Sequence, residues 1–483
     1  MRAPTRRHVG VGASLSMALT MTQEARVAVL MVLSPMPGVV AYRIGERHRL
    51  LTPSLRREYS GATSSSNKGE GPMASPQIQF SPEKVISQEW LAGNPPAHQA
   101  LLEKFYGQHP RCMCAGGEGV PLYIARKRSY YLARMPGTGA QHASFCPFYE
   151  APSDLSGQQI YRPSAIQELD DGILSVKLSD GLGVRTASES VSASSASETY
   201  SDGKRGKLSI IGILNLLWER AGLNQWYPAM AGKRSYGVLY KYLRAAAEQV
   251  VVKDSNLLNY LYVPEPFVES KAAEIARAAE HTLYHLLIDR SGRPKRGMVV
   301  GLVRRIFRTK YGYGLQLKHA PGDLTFWLRD EAAETYARKF ARTDNLEQSM
   351  PETGLLVAVM LVERTSKGSN NVVKMASMTV DKRFIPFSTN AEKALLDHLG
   401  EGRIFNKQLK YDATSKQLMP AVLLRDVGAA ALPMYILGDP EVKARADGEL
   451  REKVHEIDAG GGAIWFWDRA WDPEVPPKLP PKH

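Results

Sequence analysis

CMCAGGEGVPLYIARKRSYYLARMPGTGAQHASFC, residues 112–146, decides how the first half of this chain is read. It contains all three cysteines of the 483 residues. Cys112 and Cys114 stand one residue apart, 27 residues follow, and His142 then precedes Cys146 by four positions. A closed zinc site needs four soft or borderline donors in a tetrahedron, about 2.0–2.3 Å from the ion. Two donor pairs brought together by a β-hairpin supply that set. Gly116-Gly117 after the first pair, and Gly137 and Gly139 before the second, allow the tight turns such a site requires. The expectation is a structural zinc held by Cys112, Cys114, His142 and Cys146, in a zinc-ribbon-like N-terminal region. Inert buried thiols, or a Cys112/Cys114 redox pair, are the alternatives. Three cysteines are too few for a disulfide scaffold and suit a reducing cytoplasm, the expected location.

Working outward, Pro121–Ala125 and Tyr130–Ala133 have strand pattern on either side of Arg126-Lys127-Arg128, a hairpin with a basic tip. Upstream, Leu101, Leu102 and Phe105 share one face of a helix expected over Ala97–Tyr106. Residues 73–184 are thus expected to form a zinc-binding domain. Residues 1–72 carry ten Lys/Arg against four Glu and lack any sustained period. They read as a disordered extension ahead of Met73, with a weak signal peptide as the other reading. TASESVSASSASETYSDG, residues 186–203, is too polar to offset its ordering entropy and marks a Ser-rich linker over 185–205.

Hydrophobic residues at 43% and charged residues at 23% exclude wholesale disorder and a collagen-like chain. No run of about 18 apolar residues occurs, so no membrane partner is expected. The net charge of +13 favours an anionic partner, nucleic acid above all.

The middle region, 206–383, opens with an amphipathic helix. Ile210, Ile211, Leu214, Leu217 and Trp218 recur at helical spacing, and Gly222 stands at the C-terminal stop. Helices over Ser235–Val250 and Ser270–Leu287 follow. The period then changes to strands at Met298–Ile306, Tyr313–Lys318 and Leu324–Leu328, a helix at Glu331–Phe340, and a hairpin Leu355–Val362/Val372–Val380. From Arg290 to Gly322 there are nine Lys/Arg and no acidic residue, with Phe307, Tyr311 and Tyr313 interleaved. A cationic surface with flat rings can hold phosphates and stack bases, in a setting that suits an OB-like platform. Arg304, Arg305, Arg308 and Lys310 are the expected nucleic-acid contacts, DNA in preference to RNA. A solvated sheet face is the bland alternative. Lys233-Arg234-Ser235-Tyr236 is a weaker second basic patch.

Residues 384–472 read helix, three strands, helix, strand, and a Pro-rich tail occupies 473–483.

Four stretches carry a resemblance. They are C-x-C…H-x3-C-P-x-Y-E, Leu214-x3-Trp218-x2-Ala221-Gly222…Trp226-x-Pro228-x-Met230-Ala231-Gly232-Lys233-Arg234, Pro264-Glu265-Pro266-Phe267, and Lys318-His319. Together they resemble the uncharacterised bacterial family named domain of unknown function 1173, over about residues 75–470. The resemblance implies a protein of mobile elements and brings no catalytic residues. The order αβββαβ near the C-terminus is also similar to a PD-(D/E)xK nuclease core. That chemistry needs clustered carboxylates for Mg²⁺. Glu392 fits the first helix, but Pro420-Ala421 and Tyr435-Ile436-Leu437 stand where the other metal-binding motifs belong.

The chain is therefore expected to be a multidomain α+β protein: zinc-stabilised, nucleic-acid-binding, non-catalytic, with a degenerate nuclease-like module. A divergent Mg-dependent nuclease using Glu392 and Asp426, or a protein-interaction scaffold, are the alternatives. Nothing in the sequence fixes the oligomeric state.

Overall fold

Ser209 caps the helix Ile210–Arg220 by accepting a hydrogen bond from Gly212 N at 3.0 Å, and Gly222 ends it with φ +62°. Such a left-handed residue has no Cβ penalty only as glycine. Eight of the eleven helical residues are buried. Trp218 goes deepest, fully buried, with its indole N–H donating to Phe384 O at 2.9 Å.

The computed structural model describes residues 76–482, apart from 94, 127–128, 153–154, 170–171, 185–204, 311, 329–332, 334–353 and 413–418. The expected extension 1–72 lies outside these residues. So do the expected linker 185–205, except Arg205, and nearly all of the helix expected at Glu331–Phe340. The chain is mixed α+β, with four sheets and seven α-helices among the described residues.

The N-terminal sheet runs, edge to edge, Lys84–Ser87, Gln77–Ser81, Arg111–Cys112, Val120–Arg126 and Tyr130–Arg134. Its last two strands are the hairpin expected from sequence, paired Leu122↔Arg134 through Arg126↔Tyr130. A small sheet joins Ile166–Glu168 and Leu174–Val176 to Val250–Val252 and Ser255–Asn256. Strand pairing thus runs across residues 185–204, and Gly183–Val184 also pairs with Lys295-Arg296.

The largest sheet closes on itself. Lys295–Thr309 is long enough to pair twice: residues 296–302 with Gly354–Arg364, residues 303–309 with Gly312–Leu317. Gly312–Leu317 pairs antiparallel with Phe326–Leu328, which pairs parallel with Asn370–Asp381, which pairs antiparallel with Gly354–Arg364. Numbered in chain order, the five strands form the ring 1-2-3-5-4-1. This is the five-stranded Greek-key barrel of an OB-fold. Val299, Leu315, Phe326, Ala358, Met360 and Val372 belong to one buried cluster, which also takes Leu283 and Leu287 from the helix Ala272–Leu287. The alternate residues Met298, Val300, Val357 and Val359 pack with the helices Ile210–Arg220 and Tyr236–Ala247 in a second cluster. Two apolar sets on one strand mean that both of its faces are covered, hence the near-continuous apolar run Met298–Val303.

The C-terminal sheet is ordered Trp465–Asp468, Leu432–Leu437, Val422–Leu424, Phe405–Lys407, Gln225–Trp226. The helices Asn390–Leu399 and Ala444–Ala459 complete the order αβββαβ. Its fifth strand comes from the middle of the chain.

Arg234, read as part of a basic patch, serves the interior. Its guanidinium donates to the carbonyls of Leu223, Arg383 and Gly222 at 2.9–3.0 Å and to Gln225 O. The motif residues also converge: Tyr236 stacks on His319 at 3.7 Å and donates to Pro264 O at 2.7 Å, while Phe267 N donates to His319 Nδ1 at 3.2 Å.

On the barrel, a Cβ added to Gly314 would lie 2.4 Å from Phe307 Cζ. Gly314→Ala is expected to displace that ring and cost about 1–3 kcal/mol, read as a lower urea midpoint. Adding Phe307→Ala should recover most of the loss.

Candidate metal centre and neighbouring cavity

Cys112 ends a strand held on both sides, opposite Ile78 and Val120, so its side chain is fixed by two ladders. The chain then turns through the 3₁₀ segment Met113–Ala115, which presents Cys114. A second 3₁₀ turn, Gly139–Gln141, delivers His142, and a tight turn with Cys146 N donating to Ala143 O at 2.9 Å delivers Cys146.

The four side chains meet. All four donor atoms lie within 4.8 Å of one another. Cys112 Sγ is 3.7 Å from Cys146 Sγ, and His142 Nδ1 is 3.4 Å from Cys114 Sγ and 3.7 Å from Cys146 Sγ. A tetrahedron with metal–sulfur bonds of about 2.3 Å and a metal–nitrogen bond of about 2.05 Å has edges of roughly 3.6–3.8 Å. These three of the six edges lie within about 0.2 Å of that range, and 3.7 Å far exceeds the ~2.05 Å of a disulfide. Cys112, Cys146 and His142 are buried and Cys114 is half-buried. The set can hold a metal ion, and among the described residues it is the one group of three or more His, Cys, Asp or Glu that can.

The thiols share their protons unequally. Hydrogen bonds from Cys112 and Cys146 draw Cys114 far below the usual thiol range. Cys112 is pushed up to about 11, first by its hydrogen bond with Cys114, and contact with Cys112 raises Cys146. Three sulfurs this close cannot all ionise unless a cation sits among them.

Behind the cluster stands a residue the sequence did not single out. Arg425 is fully buried and donates to Ser144 O at 2.5 Å, Cys146 O at 2.7 Å, Tyr227 Oη at 2.6 Å and Asn406 Oδ1 at 2.8 Å. The one Ser144 hydroxyl proton is shared between Arg425 O and Gly428 O, at 2.8 and 2.7 Å from Oγ. The ligand loop is thereby fastened to the C-terminal sheet.

A family model described as "Protein of unknown function (DUF1173)" matches residues 86–470. The chain belongs to the DUF1173 family. No curated protein and no solved structure matches it. The DUF1173 match spans the Cys/His cluster, the barrel and the C-terminal sheet. No helix among its described residues is long and apolar enough to cross a membrane.

The other candidate residues of this DUF1173 chain fall in two places. Arg304, Arg305, Arg308 and Lys310 are exposed along the last part of the first barrel strand, which pairs with the second, and the turn after it. Arg305 lies over the Phe307 ring at 4.9 Å and donates to Gln316 Oε1 at 2.8 Å. Glu392 is buried between Lys407 and Lys410, at 3.2 and 2.9 Å. Asp426 is gripped by Arg403 at 2.8–3.0 Å, and Asp439 faces Arg469 at 3.6 Å. These carboxylates are answered by cations and do not gather into a metal-capable group.

The loop after Cys146 also walls a cavity of about 570 Å³, which Glu219 and Asn224 line from the side of the first middle-region helix. Burial pushes Glu219 up to about 7. Its Oε2 accepts from Tyr411 Oη at 2.6 Å and from Gln158 Nε2.

Purified protein is expected to hold about one metal ion per chain by elemental analysis. Cys146→Ser should lower that content, and a chelator should lower the melting temperature. Glu219 gives a second prediction. The folded chain keeps its proton up to about pH 7, whereas the unfolded chain releases it near 4.5. Between these values the native state binds more protons, so this residue's contribution to stability falls as pH rises. Urea titrations from pH 4.5 to 7 should show a flatter profile for Glu219→Gln.

Proposed function

We propose that this protein is a zinc-stabilised, non-catalytic binder of single-stranded nucleic acid, DNA in preference to RNA. The observation that carries the reading is the outer surface of the barrel. OB-type barrels bind oligonucleotides across their second and third strands and the loops joining strands 1–2 and 4–5. Here that surface bears a cross-strand row, Phe307 opposite Gly314 opposite Trp327. Gly314 leaves room for the Phe307 ring, which meets Trp327 edge to face at 6.3 Å. Exposed Arg308 and Lys310 stand at the 1–2 loop, and exposed Arg304 and Arg305 precede them along the first strand. A groove of about 480 Å³ adjoins Trp327, lined also by Lys367, Ser369 and Asn370 from the 4–5 connection. Asn370 Oδ1 is buried there with no hydrogen-bond partner. Rings that stack bases, cations that meet phosphates and an unanswered acceptor for a base edge fit one ligand class.

Zinc is the metal of this reading. Three thiolates and one imidazole are a soft, closed donor set that leaves no open position for substrate, so the ion would stabilise a zinc-ribbon-like region within 73–184. Three thiolates around Zn²⁺ leave one negative charge, and the buried Arg425 guanidinium beside Cys146 would balance it. The C-terminal 384–472 region is read as a degenerate nuclease-like module. Its element order supports that reading, and the lysine- and arginine-bound carboxylates argue against retained Mg²⁺ chemistry.

Fluorescence anisotropy with a labelled oligo-dT of about 20 nucleotides tests the binding reading. Affinity should fall steeply with salt, by about 0.7 in log K per log [salt] for each phosphate contacted. Replacing Arg304, Arg305, Arg308 and Lys310 with Ala should reduce that slope. Trp327→Ala should weaken binding by about 1–3 kcal/mol. Absence of binding at low salt would refute the proposal.

A further inference from the structure

The cavity beside the metal loop carries an inference that does not rest on the barrel. Its lining is chemically divided. Pro147, Phe148 and Tyr149 contribute apolar and flat surface, whereas Glu219, Arg220 and Asn224 contribute polar atoms. The remaining charges of the lining answer one another: Arg134 pairs with Glu150 and Glu168, and Arg162 pairs with Glu168 at 3.7 Å. Above about pH 7, where Glu219 is ionised, its charge offsets that of Arg220 and the formal charge of the lining cancels. A balanced pocket favours a neutral ligand over a cation or an anion.

Two buried polar atoms remain without partners, beside the Glu219 carboxylate. Asn224 is 5% exposed; its Nδ2 donates to Lys407 O at 2.9 Å, which leaves Oδ1 buried and unpaired. Arg220 NH2 donates to Gly172 O and Gln249 Oε1 at 2.8 Å, while its Nε is buried and unpaired. Glu219 Oε2 accepts from Tyr411 and Gln158, and Oε1 is the carboxylate's other acceptor. The unmet buried set is one donor and one acceptor, with a carboxylate oxygen beside them.

We propose that this cavity binds a neutral, flat amino-heterocycle with a guanine-type edge. A ring carbonyl would accept from Arg220 Nε, and the ring N–H and exocyclic amino group would donate to Glu219 Oε1 and Asn224 Oδ1. The ring face would lie on the apolar wall that includes Phe148. About 570 Å³ is ample for a nucleoside. A buried polar atom without a partner costs stability, so a ligand that answers two of them and also meets the Glu219 carboxylate gains affinity and selectivity together.

Calorimetric titration of the metal-loaded full chain with guanosine tests this, beside inosine, which lacks the amino group, and adenosine, which presents the opposite edge. Guanosine should saturate, inosine should bind at least about tenfold more weakly, and adenosine should not compete. Glu219→Gln keeps the side-chain shape and should weaken guanosine at least about tenfold. A dG-containing oligonucleotide that displaces guanosine better than oligo-dT would place the base within a strand, and failure to displace it would assign the site to free nucleoside. The proposal is overturned if guanosine shows no saturable binding below about 1 mM, if adenosine binds equally well, or if Glu219→Gln binds as wild type.

Discussion

A buried guanidinium, Arg425, fastens the loop of His142 and Cys146 to the C-terminal sheet. Arg425 lies in the C-terminal sheet region, yet two of its donors end on the backbone of the loop that carries His142 and Cys146. It has no carboxylate partner among the described residues, and rings of Tyr149 and Tyr227 lie near its plane at 5.0 and 5.1 Å. A full charge removed from water is tolerated only where hydrogen bonds and nearby negative charge replace hydration. Carbonyls, a phenol and an amide supply those hydrogen bonds. The geometry of the Cys/His cluster and the packing of the C-terminal sheet are therefore one problem, solved together.

The barrel solves a different problem. Its interior cluster and its outer cluster alternate along the same strands, so the barrel is wedged against helices on one flank, and on its second and third strands only Tyr313 and Trp327 are half-buried while the rest are buried. Gly314 matters here because it is a gap in a side-chain row. The neighbouring Phe307 ring fills that gap and meets Trp327 edge to face.

Much of this could be read from residue order. Local signals did well: the hairpin Val120–Arg126/Tyr130–Arg134, the helix stop at Gly222, the helix Asn390–Leu399 and the convergence of Cys112, Cys114, His142 and Cys146 follow from periodicity, capping and turn chemistry. What stayed hidden is non-local. Nothing near Arg296 shows that it will face Glu363, or that Phe326 will run parallel to Asn370, and those pairings close the barrel. Arg234 looks like surface charge in sequence, but carbonyls left by neighbouring turns claim it. Asn224 and Arg220 carry no motif either; their interest comes from which atoms remain unanswered after folding.

The borrowed strand Gln225–Trp226 has a temporal consequence. Its partner, Phe405–Lys407, emerges from the ribosome some 180 residues later. At roughly 5–20 residues per second the earlier strand waits on the order of ten seconds or more with an exposed edge. Nascent chains stalled between these two segments would present an unzipped seam, and that interval is where a folding helper has the most to protect.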